Sequence, residues 1–155
     1  MIPERLVDFV HGAVLAFVGT RDARLRPAVT WAFGARVSAS TDEITAFVPD
    51  VEIDRTRSNL AHNGVVAYTA VGPISHESYQ FKGRLAGMRP TTEEERAVQE
   101  ILRSKVGAQL AMFRPELITG YVLVPSTALT FKVDQVFVQT PGPGAGRQLD
   151  LSAEP

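Results

Sequence analysis

Arg55, Thr56 and Asn59 open a short polar segment, DRTRSNLAHN, that follows the apolar stretch ITAFVPD. Strand, helix, strand is the pattern from Ile44 to Val71. Asp50 is placed to cap a helix starting at Val51, and Gly64 to end it in a left-handed turn. Arg55 and Arg57 then lie in the first turns of that helix, where a phosphate would meet both free N–H dipoles and guanidinium groups. A solvated helix face is the plain alternative for both arginines. Arg57 is two residues on, turned to another side of the helix, and keeps the plain reading.

Other chemistries find little support. His11, His62 and His76 are the only histidines, and no two are four residues apart as a helical metal pair requires. The chain has no cysteine, which removes disulfides, thiolate metal sites and thiol nucleophiles. Neither a G-x-S-x-G elbow nor an S-x-x-K motif occurs, and no carboxylate pair stands where acid–base work would need it. The glycines from Gly142 to Gly146 lack the Lys-Ser/Thr of a phosphate loop. What remains is a set of donors: Arg26 before one strand, Arg55, Thr56 and Asn59 on the helix, and Gln80 and Lys82 on a later strand. Donors beside an apolar barrel surface suit a flat, phosphorylated cofactor that carries the chemistry itself.

Sixteen basic residues balance seventeen acidic ones for a net charge of −1, so bulk charge attracts neither nucleic acid nor an anionic membrane. The longest apolar run, Ala13 to Gly19, is too short to span a bilayer. With no cysteine and no signal-peptide pattern, a cytoplasmic location is expected.

The elements that position these donors follow from periodicity. A helix is expected over Pro3–His11 and strands over Ala13–Thr20, Pro27–Ser38 and Ile44–Val48. The interior Gly34 suggests a bulge or close backbone approach in the second. Their short connections require an antiparallel meander. Val65–Val71 and Ser78–Met88 read as further strands, the latter with Gln80, Lys82 and Arg84 on its polar face. Thr92 with Glu95 forms a capping box for a helix whose core stripe is Val98, Ile101, Leu102, Val106 and Leu110. Pro115 is expected to open another helical turn and Tyr121–Val138 to return to strand, interrupted at Pro125-Ser126. Residues 1–141 form one domain, and 142–155 an irregular or flexible tail. Hairpin-linked strands with inserted helices favour a small antiparallel barrel over a doubly wound sheet.

The succession GTRDARLRPAVTWAF, AFVP, RTRSNLAHNGVVAY and YQFKGRL resembles the pyridoxamine 5′-phosphate oxidase-like family of FMN-binding split barrels. The likeness runs from Val14 to Met88, and more weakly through the last strand to Thr140-Pro141. It implies a mainly β, α+β fold: a six- to seven-stranded antiparallel split β-barrel with two or three peripheral helices. It further implies a homodimer holding two FMN molecules at the subunit interface. Arg26 and the strand through Val29, Thr30 and Trp31 would contact the flavin, and Phe47 and Val48 would approach the ring and ribityl chain. Arg55 and Thr56, with Asn59 beside them, would hold the phosphate. Ser78, Gln80 and Lys82 would reach in, from the other subunit.

Three departures bear on this. Thr56 stands where the family commonly has a lysine, and Trp31 replaces another. Each lost cation weakens anion binding by roughly 1–3 kcal/mol. The arginine-histidine segment that true pyridoxamine phosphate oxidases use on substrate has no counterpart in PGPGAGRQLDL. The expected activity is therefore an FMN-dependent oxidoreduction of a small molecule other than pyridoxamine phosphate. The alternatives are a deazaflavin-dependent reductase, or a non-catalytic flavin, haem or small-ligand module on the same fold, or a barrel with no cofactor.

Overall fold

A computed structural model describes residues 1–38, 40–111 and 122–151. It contains three α-helices, α1 (Glu4–His11), α2 (Asp54–Asn63) and α3 (Glu93–Leu110). Seven strands accompany them: β1 (Leu15–Arg21), β2 (Pro27–Ala32), β3 (Ala35–Ser38), β4 (Glu43–Pro49), β5 (Val65–Val71), β6 (Ser78–Pro90) and β7 (Ser126–Val138). Every pairing is antiparallel, in the order β2-β1-β5-β6-β7-β4-β3. The fold class is thus α+β with a seven-stranded antiparallel sheet, as expected.

The stretch expected as one strand, Pro27–Ser38, breaks into β2 and β3 at Phe33-Gly34. Gly34 has φ +91°, a conformation that side chains with a Cβ disfavour. The kink lets one run of chain serve both edges of the sheet. Phe33 N–H donates to the Phe47 carbonyl at 2.8 Å, and Phe47 N–H donates to the Gly34 carbonyl at 3.0 Å. These bonds carry the pairing with β4 on from β3 through the kink towards the end of β2. Inside the curl Val18, Tyr68, Phe81, Phe131 and Val136 are fully buried, and α1 adds Leu6 and Val10.

Four further local expectations change. Asp50 does not cap α2. A 3-10 turn, Asp50–Glu52, intervenes, and the Asp50 carboxylate accepts a 2.6 Å hydrogen bond from Thr127 Oγ1 instead. The Thr92–Glu95 capping box forms, but the buried face of α3 is Glu95, Gln99, Leu102 and Val106. Ile101 is 56 % exposed, because Gln99 turns inward to donate to Ser126 Oγ at 2.9 Å and Glu95 to receive Arg89. In the tail, residues 146–149 bond along Val136–Val138, and Leu149 and Leu151 pack on the core. The last strand begins at Ser126. Pro115 and Tyr121 fall outside the described residues.

Candidate functional site

Antiparallel register decides which side chains share a face, because residues directly opposite project the same way. Val29 lies opposite Gly19, Gly19 opposite Ala67, and Ala67 opposite Lys82. One row therefore crosses β2, β1, β5 and β6 on the outer face. The next row is Trp31, Phe17, Thr69 and Gln80. The intervening residues, Thr30, Val18, Tyr68 and Phe81, point into the core.

Two small residues between two larger ones leave a trough. Gly19 and Ala67 form its floor, with Val29 and Lys82 as walls and Thr20, Pro27 and Val65 at one end, enclosing about 350 Å³. Lys82 lays its ammonium 4.3 Å from the centroid of the Phe137 ring, an arrangement that steers a mobile side chain. Val29 is 66 % exposed, an apolar residue without cover from its own chain. Phe17 and Trp31 pack at 4.4 Å between ring centroids and continue the apolar surface.

Helix α2 abuts the Thr20 end. Its buried face is Thr56, Asn59 and Leu60. Asn59 Nδ2 donates to Thr20 Oγ1 at 3.0 Å, and Asn63 Nδ2 donates to the Arg21 carbonyl at 2.7 Å. Arg55 is exposed and sits one turn before Asn59, hence on the same side of α2. Arg57 is also exposed, with its guanidinium 3.5 Å from Thr127 Oγ1.

The structure gathers some of the sequence-selected residues and separates others. Val29 and Lys82 line the trough; Trp31 and Gln80 occupy the adjoining row, where Gln80 Nε2 donates to Thr69 Oγ1 at 3.1 Å. Arg26 lies just before β2, held by Asp22, whose carboxylate takes its Nε at 2.7 Å and its backbone N–H at 2.9 Å. Those bonds, the backbone one foremost, hold the Asp22 carboxyl below its ordinary value. Thr30 is buried on the other face. Ser78, at the head of β6, is buried and gives its hydroxyl to the His76 carbonyl at 2.6 Å. Phe47 and Val48 are wholly buried, Val48 in the main core and Phe47 against the Gly34 kink. Neither lines the trough, and neither presents surface on which a ligand could lie. The sequence reading passed over Gly19, Ala67 and Thr20. A glycine inside an otherwise apolar strand was the available signal, since it marks a place where something approaches the backbone.

The trough holds no carboxylate or imidazole. Among the described residues no three His, Cys, Asp or Glu side chains cluster to hold a metal. Its charged lining residues, Arg21 and Lys82, are both donors, with Arg55 and Arg26 on neighbouring elements; the Thr20 hydroxyl turns to the inner face, where it accepts from Asn59. An apolar floor bounded by donors fits a flat anionic ligand, and all of it comes from one sheet face. A ligand there would lie between this face and another surface.

No protein-family profile matches the chain, and no curated protein matches it. Among solved structures, an F420 reductase shares 12 % identity at TM-score 0.56, covering 87 % of this chain and 98 % of that one. An FMN-binding protein from Syntrophomonas wolfei shares 12 % at TM-score 0.51, covering 87 % and 86 %. A protein from Lactobacillus delbrueckii, described as a candidate pyridoxamine 5′-phosphate oxidase, shares 15 % at TM-score 0.56, covering 88 % and 93 %. At these identities the likeness establishes the fold, the pyridoxamine 5′-phosphate oxidase-like one that the sequence motifs resemble. No helix among the described residues is long and apolar enough to cross a membrane.

Proposed function

We propose that the chain is a cytoplasmic flavin-binding oxidoreductase that works as a homodimer, with FMN in the trough of each subunit. The observation that carries this reading is the Val29–Gly19–Ala67–Lys82 row, an apolar slot bounded by donors and abutted by α2. Bound there, FMN would supply hydride or electron transfer that none of the neighbouring side chains supplies.

The chain's own part is binding and orientation. Arg55, with Asn59 beside it and Thr56 beneath, would hold the phosphate at the Thr20 end. Arg26, already shared with Asp22, would add a weaker contact. Lys82 and Gln80 would face the polar edge of the ring, and a second copy would cover Val29, Phe17 and Trp31 and exclude water. Pyridoxamine phosphate is not the expected substrate, because PGPGAGRQLDL offers no arginine-histidine segment.

A deazaflavin is the second reading. Arg21 lines the trough's end and Arg24 lies in the turn that follows it, and both would suit a longer phosphorylated tail. Heat release of any ligand from the purified protein, followed by absorbance and mass, separates the two. FMN absorbs in the blue and deazaflavin towards the violet. A released haem, or another ligand that is not a flavin, would overturn both readings.

A further inference from the structure

A second hollow, of about 230 Å³, lies between the end of α1, the Gly34 kink with the start of β3, and α3. It shares no lining residue with the trough. Its walls are Val10, Ala35, Val98, Leu102 and the outward-turned Ile101. Gly34 keeps it open beside α3, where a Cβ would come within 3.4 Å of Val98 Cγ1.

The polar lining side chains are His11, Arg36 and Lys105, and all three present donors. Val37 N–H donates to His11 Nε2 at 3.1 Å, so that nitrogen is unprotonated and the imidazole proton sits on Nδ1. Burial, the largest influence, holds His11 below its ordinary 6.5, against the pull of Asp8 and with the help of Arg36, which keeps the ring neutral at pH 7. Arg36 is tied to Glu94 at 2.6 Å. Lys105 has no ion-pair partner among the described residues and stands one turn beyond Ile101 on the same side of α3.

We propose that this hollow binds a small monocarboxylate with an apolar body of one ring, the body on Ile101, Val98 and Val10 and the carboxylate towards Lys105 and His11. An acceptor-only head matches donors on every polar side, and an apolar body covers an isoleucine that otherwise faces water. The volume lies below the roughly 300 Å³ where sites for larger ligands begin, which sets the size at one ring. Arg36, neutralised by Glu94, closes the rim without adding net charge.

The test is a titration of the ¹⁵N-labelled protein with 3-phenylpropionate and, separately, with the uncharged 3-phenylpropan-1-ol. Amide shifts should saturate at Val10, Gly34, Ala35 and Ile101, with half-saturation at roughly millimolar acid for a ligand of this size. The alcohol should bind at least about threefold more weakly, and Lys105→Gln should bring the acid down to the level of the alcohol. Ile101→Glu, at an exposed position, should abolish both while leaving the rest of the spectrum in place. No shifts at ~20 mM acid, equal affinity for acid and alcohol, or shifts centred on Gly19 and Ala67 would each overturn the proposal. A failure here leaves the flavin reading intact, since the two sites have no residue in common.

Discussion

Asn59 donates its side-chain amide to the hydroxyl of Thr20 at 3.0 Å, and both residues are buried. Together with the Asn63 Nδ2 bond to the Arg21 carbonyl, that bond holds helix α2 against the end of strand β1, and so sets Arg55, one turn before Asn59 on the same side, relative to the trough floor at Gly19.

The two residues should therefore fail differently. Asn59→Ala leaves the Thr20 hydroxyl unpaired in the interior and is expected to lower unfolding free energy by about 1–3 kcal/mol in urea titration. Arg55→Ala, at an exposed position, should leave stability unchanged but weaken FMN binding about tenfold, the loss of one charge-assisted contact. Unchanged FMN affinity in Arg55→Ala would place the phosphate elsewhere.

Gly19→Val tests the trough itself. A Cβ at Gly19 would meet nothing nearer than the Ala67 carbonyl oxygen at 3.7 Å, an ordinary contact, so the fold should accept a side chain there. Valine would fill the slot between Val29 and Lys82. We expect FMN affinity to fall more than about tenfold with little change in Tm, since β-branched residues suit strands. Retained affinity would mean that the ligand avoids this face.

Tyr68 points into the core with its hydroxyl fully buried and unpaired among the described residues, and burial drives its ionisation well above the ordinary phenol range. Removing that oxygen removes an uncompensated desolvation. Tyr68→Phe should be neutral or stabilising by about 1–2 kcal/mol in thermal or urea unfolding. A clear loss of stability would show that the hydroxyl has a partner.

Much of this architecture was legible in the chain, and where it was not the causes are specific. The clean alternation of Tyr79, Phe81 and Gly83 against Gln80, Lys82 and Arg84 announced β6 and its outward face, because period-two patterning is set within a strand. Gly34 marked an irregularity within Pro27–Ser38, but not that the strand would divide there into β2 and β3. The buried face of α3 keeps Leu102 and Val106 of the expected stripe but takes in Gln99 and Glu95, because both are held inside by polar partners: Ser126, distant in sequence, and Arg89, just before the helix. Asp50 had a cap's chemistry but found Thr127 first. The trough is a product of register across four strands. No local pattern states that Gly19 will face Ala67.

Acid should reveal the Glu95–Arg89 pair. The Arg89 hydrogen bonds, outweighing burial, hold the Glu95 carboxyl down from 4.5 to about 2. A carboxyl lowered by folding stabilises the native state fully above its unfolded value, and that contribution is lost as pH falls from about 4.5 towards 2. With Arg89 half-exposed, its worth is discounted to about 1–2 kcal/mol. Glu95→Gln should show that loss already at pH 7 and flatten the stability curve between pH 4.5 and 2. An unaltered acid limb in the variant would contradict the assignment.

The central claim is that the outer face of β2, β1, β5 and β6 holds a flavin, and titrating FMN into the purified protein while following flavin fluorescence tests it most directly. Saturable quenching at one FMN per chain, lost in Gly19→Val, is the predicted result. No quenching at tens of micromolar FMN, or quenching that Gly19→Val leaves intact, would contradict it.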